Sequence, residues 1–124
     1  MKDGKYEILC IDDDKDILEA LRLFLESRGY IMHEAFSAED GLKVYKKQAI
    51  DFVIVDLMME EVDAGRNLVK ELRLLNNKAP IFMLSSVGDS LAQNTDFSEL
   101  GLNGVFQKPV DFNTLITTLK IHLK

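Results

Sequence analysis

Four places in the chain carry polar groups that could do chemistry, and each follows an apolar run. Asp12-Asp13 follow Ile8-Leu9-Cys10-Ile11, and Asp56 follows Phe52-Val53-Ile54-Val55. Ser85 follows Ile81-Phe82-Met83-Leu84, and Lys108 comes just after Val105-Phe106. Short apolar runs closed by a polar residue read as strands buried on both faces. In open α/β sheets, ligands bind outside the carboxyl ends of such strands. The polar groups would then share one rim. Crowded carboxylates repel one another and raise each other's pKa. Two devices relieve this. Mg²⁺ takes carboxylates plus waters in octahedral geometry, and a lysine ammonium pairs with the nearest carboxylate. With a hydroxyl beside them, these groups form a clamp for a phosphoryl group, stabilising charge on its equatorial oxygens. An aspartate at the centre can act as nucleophile and give an aspartyl phosphate. Singly, each residue reads as an ordinary loop polar group. Jointly, five of them at four strand ends argue against that reading.

The elements that would position these residues alternate along the chain. Tyr6 to Ile11 reads as the first strand. Asp14 or a neighbour can cap a helix running to about Arg28, with Ile17, Leu21, Phe24 and Leu25 on one face and Gly29 as its stop. Tyr30 to Ala35 is a second strand, less apolar and suited to an edge. Ser37 opens a second helix, with Asp40 a weaker stand-in for a capping-box glutamate and Leu42, Tyr45 and Ala49 on the buried side. The strand ending at Asp56 follows, then a loop, then a third helix with Leu68, Val69, Leu72 and Leu75 turned inward. Asn76-Asn77-Lys78 ends that helix, and Pro80 starts a fourth strand. Residues 89–100 predict a helix of poor formers, with Asn94, Thr95, Asp96 and Ser98 among them. Gly101 and Gly104 bracket a turn before a short fifth strand over 105–107. Asp111 can cap a last helix that buries Phe112, Leu115, Ile116, Leu119 and Leu123. Five alternations of strand and helix predict an α/β protein: a doubly wound, five-stranded parallel sheet with five helices and right-handed crossovers.

At 124 residues, with 47% apolar and 29% charged, the chain reads as one globular domain over 1–124 with a polar lead-in at 1–5. No apolar run approaches membrane-spanning length and no signal peptide is visible, so the expected compartment is the cytoplasm and no membrane partner is expected. Cys10, the only cysteine, cannot form an internal disulfide and reads as a small buried hydrophobe. A net charge of −6 argues against nucleic acid as a direct partner. His33 and His122 lie far apart, with no ligand spacing near either. They read as ordinary surface or strand-edge residues rather than metal ligands or bases.

At the residues that open this section, the sequence resembles the receiver domain of two-component response regulators. The motifs are I-L-C-I-D-D-D at 8–14, V-I-V-D-L-M-M at 53–59, I-F-M-L-S-S at 81–86 and G-V-F-Q-K-P at 104–109. The resemblance implies a flavodoxin-like (β/α)₅ fold with strand order 2-1-3-4-5, which is a property of the family. It implies a phosphorylatable signalling switch rather than an enzyme. Asp56 resembles the phosphoacceptor, receiving its group from a phosphohistidine on a sensor histidine kinase or phosphotransfer protein. Asp12 and Asp13 resemble the acidic pair that holds Mg²⁺, with Asp13 the more direct ligand. Asp56 and the Met58 carbonyl complete that metal site. Lys108 resembles the lysine that contacts acceptor and phosphoryl oxygens, and Ser85 the switch hydroxyl. Phe106 resembles the coupled aromatic, which packs inward when that hydroxyl moves. The bond before Pro109 would be cis.

In the family, the surface that includes helix 4, strand 5 and helix 5 meets the downstream protein, whose identity is left open; a phosphorylation-dependent dimer is also compatible. The loop Glu60-Glu61-Val62-Asp63-Ala64-Gly65 departs from the usual pattern by losing a proline, gaining two charges and shifting a glycine. By the same resemblance, Met58 and Val87 occupy positions that tune loss of the phosphoryl group to water. Two other readings compete. A haloacid-dehalogenase-type phosphatase would share the opening Asp12-x-Asp14, but needs a further acidic pair where only Asp111 follows Lys108. A binding module of the same fold that is never phosphorylated would lack use for the intact constellation. Sixteen residues follow Lys108, enough for the last helix, so the chain reads as a stand-alone receiver or a piece of a longer one.

Overall fold

Five strands pair in parallel in the order β2-β1-β3-β4-β5: β1 (Glu7–Ile11), β2 (Ile31–Ala35), β3 (Phe52–Asp56), β4 (Ile81–Ser85) and β5 (Gly104–Gln107). The computed structural model describes residues 3–56, 64–75, 78–85, 103–108 and 110–123. Among these it contains four helices: α1 (Lys15–Ser27), α2 (Ala38–Lys47), α3 (Ala64–Leu74) and α4 (Phe112–His122). The helix expected over 89–100, the loop after Asp56 with Met58, the position Val87 and the peptide bond at Pro109 lie outside the described residues. The fold is the flavodoxin-like one expected, and β2 is an edge strand. Its outer side is held by Arg22, whose guanidinium donates to Glu34 and, at 3.2 Å, to the Met32 carbonyl.

Strand alternation divides the core into two layers. Leu9, Ile11, Val53, Val55, Ile81 and Met83 pack beneath α2 and α3. Ile8, Cys10, Phe52, Ile54, Phe82, Leu84 and Phe106 pack beneath α1 and α4. The central strands β1 and β3 are buried at every residue, which is why Ile8–Ile11 and Phe52–Val55 are continuous apolar runs rather than alternating ones. Burial pushes the Cys10 thiol up, so it is an inert core residue, as expected.

Each helix begins where the sequence offers a cap. Asp14 accepts from the Asp16 and Ile17 amides at 2.9 and 3.4 Å, and Gly29 ends the α1 segment with φ +87°. Ser37 accepts from the Asp40 amide at 3.1 Å, and Asp111 from the Asn113 amide at 3.0 Å. The buried faces differ in detail from those expected. In α1 the face centres on Leu18, Leu21 and Leu25, with Ile17 and Phe24 flanking it. Ala49 lies past the end of α2 and is exposed, and Leu75 is 46% exposed past the end of α3. Phe112 is 37% exposed and stacks on Phe24 at 4.5 Å rather than entering the core. In α2 the inward position is Gly41, where a Cβ would overlap Ile11 Cδ1, so a larger residue would require the Ile11 side chain to shift.

Candidate functional site

The strand order reverses between β1 and β3, and the candidate residues stand at the carboxyl ends of those two strands and of β5. The reversal opens a crevice where α/β sheets bind ligands. The backbone there is tightly fixed. The Asp12 amide donates to the Ala35 carbonyl at 3.0 Å, carrying the β1–β2 pairing one residue past the strand. The Asp14 amide donates to Asp12 Oδ1 at 2.9 Å. Asp12 and Asp56 are buried, at 0% and 3% exposure, while Asp13 faces solvent. The three carboxylates bring oxygens within 4.8 Å of one another. Lys108 Nζ lies 3.1 Å from Asp56 Oδ1 and 3.6 Å from Asp12 Oδ2.

The electrostatics of this cluster are unbalanced. Three carboxylates face one ammonium. Burial is the main reason the Asp12 carboxyl is pushed up from 3.8 to about 6; the Asp14 amide pulls it down, Asp56 pushes it up again, Lys108 lowers it and Asp13 raises it. Burial acts to lower the Lys108 ammonium, but the hydrogen bond and charge of Asp56, with Asp12 behind them, raise it overall. Asp12 Oδ2 is buried and has no hydrogen-bond partner among the described residues. The ammonium at 3.6 Å is too far to serve as one. An orphaned carboxylate oxygen at this depth is costly unless something else takes its lone pairs. The donors are all hard oxygens, with no histidine or sulfur among them, which suits Mg²⁺ rather than a softer metal. The residues present therefore fit a divalent cation held by Asp12, Asp13 and Asp56.

Asp12, Asp13, Asp56 and Lys108 are thus brought together. Ser85 is the last residue of β4, paired in register with Gln107 next to Lys108; its hydroxyl, like Met58, lies outside what is described. Phe106 lies in the core rather than at the rim. It is already buried, at 5% exposure, and stacked on Phe82 at 4.9 Å in the layer beneath α1 and α4. The neighbour that faces the α2–α3 layer is Val105, which is not aromatic. His33 is more than an edge residue, since its Nε2 lies 2.9 Å from Oε1 of buried Glu7. His122 sets its ring edge-on to Phe52 and Phe82. Sequence reading also missed a groove of about 480 Å³ beside the site. Asp16, Ile17, Ala20 and Leu21 of α1, Val110 and Phe112 at the start of α4, and Lys108 line it. Its helix-spaced apolar residues read only as core.

A family model for the response regulator receiver domain matches residues 8–120, a stretch that reaches from β1 into α4. The chain belongs to that family. The response regulator GtcR of Aneurinibacillus migulanus is 35% identical over 120 residues, which cover 92% of this chain and 45% of GtcR. The transcriptional regulatory protein GlrR of Escherichia coli K12 is 34% identical over 108 residues, covering 87% of this chain and 24% of GlrR. The chain therefore spans less than half the length of these two relatives. Among solved structures, the Vibrio cholerae chemotaxis protein CheY4 superposes with a TM-score of 0.85 at 27% identity, covering 97% of this chain and all of CheY4. A response regulator receiver protein from Pseudomonas putida superposes with a TM-score of 0.84 at 28% identity, covering 95% of this chain and 98% of that one. No helix among the described residues is long and apolar enough to cross a membrane.

Proposed function

We propose that the protein is a phosphorylatable switch of the cytoplasm in which Asp56 accepts a phosphoryl group from a phosphohistidine on a sensor histidine kinase or phosphotransfer protein. The observation that carries this reading is the ammonium of Lys108 held 3.1 Å from Asp56 Oδ1, inside a carboxylate cluster with an orphaned oxygen. Membership of the receiver family supports it, and it replaces the haloacid-dehalogenase alternative.

The Asp56 carboxylate attacks phosphorus from one side as the bond to the histidine nitrogen breaks on the other. The electron pair of that bond returns to the imidazole, which takes up a proton, leaving an aspartyl phosphate and a neutral histidine. Lys108 pairs with the carboxylate before transfer and with phosphoryl oxygens after it. Asp12, Asp13, Asp56 and the Met58 carbonyl would hold Mg²⁺, which when bound neutralises charge on the phosphoryl oxygens. The Ser85 hydroxyl, on the neighbouring strand end, would follow the phosphoryl group. The groove between α1 and the start of α4 would seat a helix of the donor, because Lys108, which pairs with Asp56, is part of its wall. The changed surface around β5 and α4 would control a protein partner or a phosphorylation-dependent dimer. The net charge of −6 favours no direct contact with nucleic acid.

The test is incubation with Mg²⁺ and a small phosphodonor such as phosphoramidate, followed by peptide mapping of the acyl phosphate. Labelling of Asp56, abolished in Asp56→Asn and by chelation of Mg²⁺, is expected. A label on Asp12 or Asp13 would overturn the assignment. No label at all would favour a binding module that is never phosphorylated.

A further inference from the structure

Three phenylalanines on three adjacent strands form a diagonal stack beneath α1 and α4. Phe52 on β3 and Phe82 on β4 stack at 5.2 Å with planes 20° apart, and Phe82 and Phe106 on β5 stack at 4.9 Å and 23°. The register explains the diagonal. Phe82 stands opposite Ile54 on one side and Gly104 on the other, so each partner ring is displaced by two residues along its strand. Aromatic side chains reach such diagonal neighbours. Gly104 makes the reach easy: a Cβ there would lie 2.5 Å from Phe82 Cε2.

The two ends of the stack differ in kind. Phe106 stands two residues before Lys108, opposite Leu84, which is itself opposite Asp56. At the other end, His122 in the last turn of α4 sets its ring against Phe52 at 6.2 Å and Phe82 at 5.3 Å, at angles of 66° and 75°. The stack thus runs from the acidic rim, through the core, to the far end of α4. Close-packed interiors pass a displacement on rather than absorb it. A phosphoryl group on Asp56 would change the partners of Lys108, two residues beyond Phe106.

We propose that the Phe106–Phe82–Phe52 stack, closed by His122, couples phosphorylation at Asp56 to the C-terminal turn of α4, making that turn part of the output surface. The proposal rests on the acceptor role of Asp56. Its alternative is that the stack is only a well-filled core, in which case the site and the α4 terminus change independently.

The chain has two histidines, so its imidazole NMR spectrum provides both a probe and a reference. The ring currents of Phe52 and Phe82 make the His122 signals sensitive to small ring movements. His33, on β2 beside Glu7, lies outside the stack. The protein is titrated with Mg²⁺ and beryllofluoride, a stable phosphoryl mimic, while a parallel sample is labelled with phosphoramidate and mapped. The expected result is a shift of His122 in the wild type that is lost in Phe106→Leu, where both ring contacts of His122 are kept. Phe82→Leu, which breaks the stack in the middle, serves as the second variant and should also lose the response. An unshifted His122 in a protein labelled on Asp56 would overturn the coupling alone. So would a full shift surviving in folded, labelled Phe106→Leu or Phe82→Leu. Absence of label on Asp56 in the wild type would bring down the acceptor reading and this proposal with it.

Discussion

Asp12→Asn is the substitution whose effect the structure specifies most fully. Asp12 is completely buried, and its carboxyl is pushed from 3.8 up to about 6, chiefly by burial. A pKa raised in the folded state means that the ionised form opposes folding. At about 1.4 kcal/mol per pH unit, the rise corresponds to about 3 kcal/mol held against the metal-free protein at neutral pH. The favourable contribution of this group is fully present below pH 3.8 and is lost as pH rises through about 6. Asparagine keeps the oxygen that accepts from the Asp14 amide and removes the charge. In chelator at pH 7.5 the variant should therefore be the more stable protein, by up to about 3 kcal/mol. With urea slopes of roughly 1–3 kcal/mol/M, its unfolding midpoint should rise by about 1–3 M. The gap should narrow between pH 6 and pH 4. Saturating Mg²⁺ should then stabilise the wild type more than the variant, since a ligand that binds only the folded state adds RT ln(1 + [L]/Kd) and Asp12 is one of the proposed ligands. Equal or lower stability of Asp12→Asn in chelator, or a gap unchanged between pH 7.5 and pH 4.5, would refute this electrostatic account.

Three further outcomes are expected. Lys108→Ala leaves Asp12 and Asp56 without their shared cation. Breaking one side of a buried pair costs roughly 3–5 kcal/mol, less here because Lys108 reaches solvent; the loss should be largest in chelator and recovered with Mg²⁺ in urea unfolding, and an unchanged midpoint would contradict it. Gly41→Ala should destabilise by about 1–3 kcal/mol through overlap with Ile11 Cδ1, despite alanine's higher helix propensity. Adding Ile11→Val, which removes that methyl group, should restore part of the loss in thermal unfolding, and strict additivity of the two changes would count against the contact. Met58→Asn with Val87→Glu should speed decay of the phosphorylated protein, each tenfold corresponding to about 1.4 kcal/mol of barrier; a decay no faster than wild type would remove these positions from control of the lifetime.

What could be read in the sequence and what could not divides along a physical line. Asp12, Asp13, Asp56 and Lys108 were legible as one site because a strand end is marked in one dimension. An apolar run stops, a polar residue follows, and a parallel sheet brings all such points to one rim. The caps Asp14, Ser37 and Asp111 were legible for the same reason, since a cap acts on amides two or three residues away. The order of the strands was not marked in this way and came from the resemblance alone. Faces were harder still. A face depends on phase, and phase is ambiguous wherever adjacent residues are both apolar. In α1 the run Ile17-Leu18 hid Leu18 from the expected stripe. In β5 the same ambiguity lies between Val105 and Phe106, in a strand of only four residues. Spacing from Lys108 could assign an aromatic to the motif, but not to a layer. The pairing of Leu84 with Phe106 turns that ring toward α1 and α4, where Phe82 and the gap at Gly104 receive it. A one-residue change of phase exchanges the two layers for every side chain of a strand, yet leaves its carboxyl end on the same rim. The chemistry of this site is therefore robust to errors of phase that would misplace any coupling through its walls, and the route from Lys108 to His122 could be proposed only once the register was known.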